Sequence, residues 1–326
     1  MRLWIVIALS LTLIFSLAGC NWFRQPESPS PDPQPGEKVE IPQEISQGSD
    51  QEPQLKVYMA EDGNVETLDF EEYIQGVVAA EMDPEWPVEA LAAQAIKART
   101  FALQKIAEQG TLENRDAHAS TDIEEFQAYD ASRINDNVGD AVEKTRGMVA
   151  VYQGEFVRGW FHAYCGGITA TPSAGLNYQD DDPPYLEPVE NPCRDYVDED
   201  EEFWTATFSK EEVRTAVQDI ANEDPGNFDS IDISSEENNR ATVFTIGDID
   251  VPAPELRLAL GSTEMRSTWV ETPEVSDAEV KFSGQGYGHG VGMCQWGAKG
   301  WADQGLSAEE IIKKFFTGVE IQKIWE

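Results

Sequence analysis

Apolar residues along the first part of the chain recur at helical intervals. In the run Tyr73-Ile74-Gln75-Gly76-Val77-Val78-Ala79-Ala80-Glu81-Met82, Ile74, Val77 and Val78 fall on one face. Asp69, followed three residues later by Glu72, supplies a start signal, and Asp83-Pro84 supplies a stop because Pro84 disfavours helical geometry in the residue before it. A second helix follows Trp86-Pro87, with Val88, Leu91, Ala92, Ala95, Ala102, Leu103 and Ile106 as its stripe. Its Ala-rich face (Ala92, Ala93, Ala95, Ala98) allows close approach of the two helices. Farther on, Ser209 with Glu212 caps a helix to Val217, and Ser307 with Glu310 caps one through Ile311, Ile312, Phe315 and Phe316, closed by Gly318. Between them, residues 230–246 alternate apolar and polar, with Ile231, Ile233, Val243, Phe244 and Ile246 marking strands. Helices and strands are segregated along the chain, which predicts an α+β fold: a helical N-terminal part, a β-rich middle at about 196–280, and a Gly-rich C-terminal motif. No internal repeat is present.

Two charges interrupt these apolar stripes. Glu81 lies four residues after Val77 and seven after Ile74, and Arg99 lies four after Ala95. A carboxylate on a buried face costs free energy unless it is paired or protonated. Glu81 also stands near a helix C-terminus, whose free carbonyls disfavour negative charge. Both effects raise a carboxyl pKa, which suits a general acid. The plainer alternative is a buried Glu81–Arg99 ion pair without chemistry.

The N-terminus changes the setting. Met1-Arg2 precedes an apolar run from Leu3 to Leu17 that ends in Leu17-Ala18-Gly19-Cys20. This is the pattern of a secretory signal, and the run is shorter than the roughly 20 residues of a comfortable bilayer span. Small residues before Cys20 resemble the lipobox of bacterial lipoproteins, so residues 1–20 are expected to be a signal peptide and Cys20 the lipidated residue. The alternative is a permanent helical anchor. Either places the protein outside the cytoplasmic membrane, and lipidation would tether it to that membrane's outer face. Residues 21–53 hold seven Pro and seven acidic residues and read as a disordered, extended tether, with the folded domain at 54–326.

Charge narrows the partners. The 326 residues carry 61 Asp plus Glu against 23 Lys plus Arg, a formal charge of −38. That balance argues against binding nucleic acid or an anionic surface through broad basic patches. With 9 Trp, 14 Phe and 9 Tyr the chain is not a disordered acidic protein. A second acidic stretch, Asp180 to Glu202, has Arg194 as its only basic residue and reads as solvated surface, or as adaptation to a salty or alkaline habitat.

After Cys20, three cysteines remain. In an oxidising compartment Cys165 and Cys193 are the preferred disulfide, leaving Cys294, although pairing does not follow from sequence. The histidines are His118, His162 and His289; His162 and Cys165 form an H-x-x-C, but no Cys-x-x-Cys or His-Glu-x-x-His exists. No metal and no cofactor are therefore expected. Glycine occupies every second position from Gly284 to Gly292, without the Lys-Ser/Thr of a phosphate-binding loop. Alternating glycine permits unusual backbone angles and close approach of a ligand. Tyr287, His289, Gln295 and Trp296 would offer hydrogen bonds and flat faces to a sugar; the alternative is a structural hairpin with a satisfied histidine. No Gly-x-Ser-x-Gly elbow is present.

Two segments together resemble the SpoIID/LytB domain family, named for stage II sporulation protein D. They are Asp69 to Leu103, with Val-Val-Ala-Ala-Glu-Met at 77–82, and Gly286-Tyr287-Gly288-His289-Gly290-Val291-Gly292-Met293-Cys294-Gln295-Trp296-Gly297-Ala298. Gln127-Ala128-Tyr129, His162-Ala163-Tyr164-Cys165-Gly166-Gly167 and Leu256-Arg257-Leu258 are weaker landmarks. The resemblance implies a peptidoglycan lytic transglycosylase acting on glycan strands without stem peptides, with Glu81 at the position of the family's catalytic acid. The alternative is a non-catalytic glycan-binding lipoprotein that recruits or enhances a cell-wall amidase. Some members hold zinc through a His and two Cys ahead of Gln-x-Tyr; this chain keeps His118 there but no cysteine.

Overall fold

The computed structural model describes residues 38–326 apart from 49, 113, 114 and 124. The signal peptide, Cys20 and the tether up to residue 37 lie outside the described residues. Packing begins before Gln54: Val39 and Ile45 are buried in the main core, and the Val39 N–H donates to Gln322 Oε1 at 3.1 Å. Two apolar side chains are enough to dock this Pro-rich segment, so the folded part starts upstream of the expected boundary.

A three-stranded sheet opens the described chain, formed by β1 (Gln54–Tyr58), β2 (Val65–Asp69) and the short β3 (Ala119–Ser120), in the order β2-β1-β3. From its edge runs α1 (Phe70–Glu81), then α2 (Val88–Gln109). Asp69 does occupy the N-cap of α1, but its side chain does not cap; it accepts instead from Gln54 Nε2 at 2.9 Å. The alanine face of α2 is fully buried at Ala90, Ala92, Ala93, Ala95 and Ala98, as close helix packing requires. Beyond it come α3 (Asp136–Lys144), β4 (Met148–Tyr152), β5 (Glu155–Phe156), β6 (Phe161–His162) and α4 (Pro172–Leu176).

A second cluster of buried residues extends from Trp204 to Phe282. It is built by α5 (Glu199–Glu202), β7 (Phe203–Ser209), α6 (Lys210–Ala221), β8 (Ile231–Glu237), β9 (Arg240–Ile246), β10 (Ile249–Pro252), α7 (Ala253–Ala259), β11 (Glu274–Val275) and β12 (Glu279–Gln285). The strands form two antiparallel sheets, β10-β9-β8 and β11-β12-β7. Ser209 and Glu212 make the expected reciprocal cap on α6. The chain then returns to the main core through β13 (Met293–Cys294), α8 (Gln295–Asp303), α9 (Ala308–Phe315) and β14 (Glu320–Lys323). The architecture is α+β. Among the described residues no helix is long and apolar enough to cross a membrane.

The helix pair is locked by an ion pair other than the alternative Glu81–Arg99 pairing. Arg99 meets Glu71 in the first turn of α1, with Nη2 to Oε2 at 2.8 Å. Ten residues of helix, about 15 Å, separate Glu71 from Glu81. The chain turns back after α1, so by its twelfth residue α2 has passed Glu81 and reached Glu71. Every polar atom of the pair is satisfied: Glu71 Oε1 accepts the Gly147 N–H (2.9 Å) and the Trp325 indole N–H (2.8 Å), while Arg99 Nη1 donates to the Met148 carbonyl (2.9 Å). Arg99 therefore supports the scaffold and leaves Glu81 unpaired.

Candidate active site

Glu81 is the last residue of α1 and stands on the wall of a cleft of about 520 Å³. The cleft is also lined by Gln127, Ala128, Trp160, His162, Arg257, Tyr287, His289 and Gln295. Among the described residues lining it, Glu81 is the one carboxylate. Burial pushes its pKa up to about 7, against the downward pull of the Ala128 N–H and the Gln295 amide. An acid titrating there exchanges protons readily near neutral pH.

The segment after β3 builds the opposite side of the carboxyl. Ala128 donates its backbone N–H to Glu81 Oε1 at 2.9 Å. This placement depends on Gly76, one and a half turns earlier in α1. A Cβ there would come within 2.2 Å of the Tyr129 ring, so only glycine lets that ring lie on the helix. The Asp130 N–H donates to the Gly76 carbonyl at 3.0 Å and fixes the same approach. Gln295 Nε2 reaches the buried Gln94 Oε1 at 3.5 Å. Gln94 on α2, rather than Arg99, is thus the residue joined to the cleft on this side. Gln94 and Ala128 both lie in segments that resemble the family, but their roles beside Glu81 are not visible in the sequence, because a backbone donor has no side-chain signature and Gln94 lies on a helix buried nearly all round.

The Gly-rich segment is a tightly packed loop. Gly286, Gly288, Gly290 and Gly292 all have positive φ, between 74° and 101°. A Cβ at Gly288 would meet His162 at 2.7 Å, and one at Gly290 would meet the Arg240 guanidinium at 2.6 Å. The loop presents Tyr287 and His289 to the cleft. His289 Nδ1 accepts the Val291 N–H at 3.0 Å, and burial holds the ring's pKa well below its ordinary value, so it is neutral.

Trp296 lies elsewhere. It is buried, tilted against Trp86 with ring centroids 4.5 Å apart, and its indole N–H donates to Glu201 Oε2 at 3.2 Å. Packed in this way it supports the loop and does not line the cleft. His118 is engaged too, its Nδ1 accepting the Lys56 N–H at 3.1 Å. Cys165 and Cys193 come together as free thiols, Sγ to Sγ 3.5 Å, and Cys294 is buried beside them with His162. The parallel pairing of β6 with β13, which sets Cys294 opposite His162, creates a grouping that the sequence spacing does not reveal.

Comparison with known proteins identifies the family to which these segments belong. The family model described as SpoIID, stage II sporulation protein, matches residues 58–152, which include α1, α2 and the Ala128 segment. The chain is 34% identical over 262 residues to an uncharacterized protein of Brachyspira hyodysenteriae, covering 79% of this chain and 67% of that protein. It is 28% identical over 302 residues to the amidase enhancer of Bacillus subtilis, covering 76% of this chain and 40% of the enhancer. With stage II sporulation protein D of Bacillus subtilis it shares 26% identity over 289 residues, 82% of this chain and 79% of that protein.

Proposed function

Because the chain belongs to the SpoIID family, we propose that it is a peptidoglycan lytic transglycosylase held outside the cytoplasmic membrane by lipid on Cys20. The observation that carries this reading is Glu81 itself: the one carboxyl among the described residues lining the cleft, with a pKa raised to about 7. Ordinary glycosidases use two carboxyl groups flanking the bond. A transglycosylase needs one, because the attacking oxygen comes from the substrate.

Protonated Glu81 donates its proton to the glycosidic oxygen between N-acetylmuramic acid and N-acetylglucosamine, and the C1–O bond breaks. The muramic acid 6-hydroxyl closes on C1, and the Glu81 carboxylate accepts that hydroxyl's proton. The products are a 1,6-anhydro end and a free 4-hydroxyl; no water is consumed and Glu81 is left protonated. Arg257 lies on the same wall, with Nε and Nη2 held by the carbonyls of Arg266 (3.1 Å) and Ser262 (3.0 Å). Its charge suits the lactyl carboxylate that muramic acid exposes once the stem peptide is gone, which favours denuded strands.

The test is digestion of denuded and peptide-bearing glycan by the purified chain, read by mass spectrometry. Anhydro ends from denuded strands support the reading, and their persistence in Glu81→Gln overturns it. The likeness to an amidase enhancer favours a second reading, glycan binding that stimulates a cell-wall amidase. That reading gains if Glu81→Gln stimulates an added amidase as well as the parent while neither cleaves glycan.

A further inference from the structure

We propose that His162, Cys165, Cys193 and Cys294 bind one zinc ion in a closed structural site at the back of the cleft. One nitrogen of His162 and the sulfurs of Cys165 and Cys294 lie within 4.8 Å of one another, all three residues being buried. Cys193 Sγ adds a fourth donor 3.5 Å from Cys165 Sγ. Zinc–sulfur bonds of about 2.3 Å at tetrahedral angles set sulfur atoms about 3.8 Å apart, so the thiols need little movement to converge on one ion. Three sulfurs and an imidazole are a donor set for zinc, and with no open position the ion holds structure rather than substrate.

Two further observations point to an ion. His162 Nδ1 is 3.1 Å from the Val291 carbonyl, which fixes the N–H there and leaves Nε2 as the acceptor. That Nε2 is buried with no hydrogen-bond partner. A backbone carbonyl orienting the far nitrogen is the usual support of a zinc-bound histidine. Arg240 is fully buried beside the cluster; Nη2 donates to the Cys165 carbonyl at 2.8 Å, while Nε and Nη1 have no partner. Three thiolates, a neutral imidazole and Zn²⁺ carry a net charge of −1, which Arg240 offsets. Binding releases three thiol protons to solvent. A Cys165–Cys193 disulfide would instead leave His162 Nε2 and two nitrogens of the Arg240 guanidinium without partners in one buried space, with the Cys294 thiol held only by the Ala163 carbonyl. The ion would clamp Cys294, and with it the adjoining Gln295 beside Glu81, to the segments carrying Cys165 and Cys193.

The full chain, purified in detergent without chelator, is analysed for metal by mass spectrometry and for thiols by intact mass and denaturing thiol titration without reductant. One zinc per chain with all three thiols reduced supports the site. A Cys165–Cys193 disulfide, or three reduced thiols without zinc, overturns it. In Cys294→Ser zinc falls to a trace; retention equal to the parent shows adventitious metal and also overturns it. Cobalt exchanged into the parent gives sulfur-to-cobalt charge transfer and tetrahedral d–d bands, and six-coordinate spectra without thiolate bands would refute the donor set. None of these readouts requires glycan cleavage, so they stand or fall apart from the role of Glu81.

Discussion

The backbone N–H of Ala128 and the Oε1 of Glu81 meet at 2.9 Å across 47 residues of chain. The bond favours the carboxylate, while burial favours the acid, and burial dominates, leaving the pKa at about 7.

On the transglycosylase reading, Glu81 must be protonated before the bond breaks, and glycan cleavage is then expected to fall as pH rises through about 7. Initial rates of anhydro-end formation across pH measure this. The same reading expects Glu81→Gln to lower the rate by about 10²–10⁴ with glycan binding retained.

The same group links stability to pH. Its folded pKa lies above the unfolded carboxyl value of about 4.3, so the native state binds the extra proton and loses stability as pH rises from about 4.3 to about 7. Glu81→Gln is therefore expected to gain about 1–3 kcal/mol over the parent above neutrality and much less in acid. Denaturant melts at both ends of the range check the sign.

Gly76→Ala places a methyl group against the Tyr129 ring. Overpacking of this kind costs about 1–3 kcal/mol and pushes residues 127–130 off α1. Loss of the Ala128 hydrogen bond then raises the Glu81 pKa, shifting the alkaline limb of the rate profile upward while kcat drops. An unchanged profile would contradict the positioning role of this glycine.

Breaking the Glu71–Arg99 pair from one side, as in Glu71→Gln or Arg99→Met, leaves buried groups uncompensated and costs about 3–5 kcal/mol. The Glu71→Met/Arg99→Met double variant recovers much of that loss. Denaturant midpoints measure the cycle.

Lys97 is fully buried, with Nζ over the Phe316 ring at 3.5 Å and no hydrogen-bond partner. Burial drives its pKa well below the ordinary lysine value, so the unfolded chain binds the proton that the native state sheds. Stability conferred by this site rises with pH toward the unfolded value of about 10.4. Lys97→Met is expected to stabilise the protein at neutral pH by about 1–4 kcal/mol and to remove that slope.

The sequence was most legible where periodicity and capping are local. Helices α1, α2, α6 and α9 follow from spacing and from Ser209, Glu212, Ser307 and Glu310. Glu81 was legible because a carboxylate on an apolar stripe conflicts with its surroundings. The partner of Arg99 was not, since the stripe shows which face is buried and says nothing of which turn of α1 lies opposite. Trp296 could be read as binding substrate or as supporting the loop, because an aromatic beside a glycine loop looks alike in sequence whether it faces ligand or core. The thiol cluster depended on pairing β6 with β13, whose residues His162 and Cys294 are distant in the chain.

One contact also bears on the order in which the chain can fold. The Trp325 indole closes the shell of Glu71 across 254 residues, and Gly147 completes it from another segment. While α1 and α2 emerge first, Glu71 and Arg99 can find each other but not the donors and acceptors that make their burial tolerable. The helix pair gains full stability only when the distant strand returns. Such long-range closure is slow, so the folding of the first two helices is tied to the arrival of a residue 254 positions away.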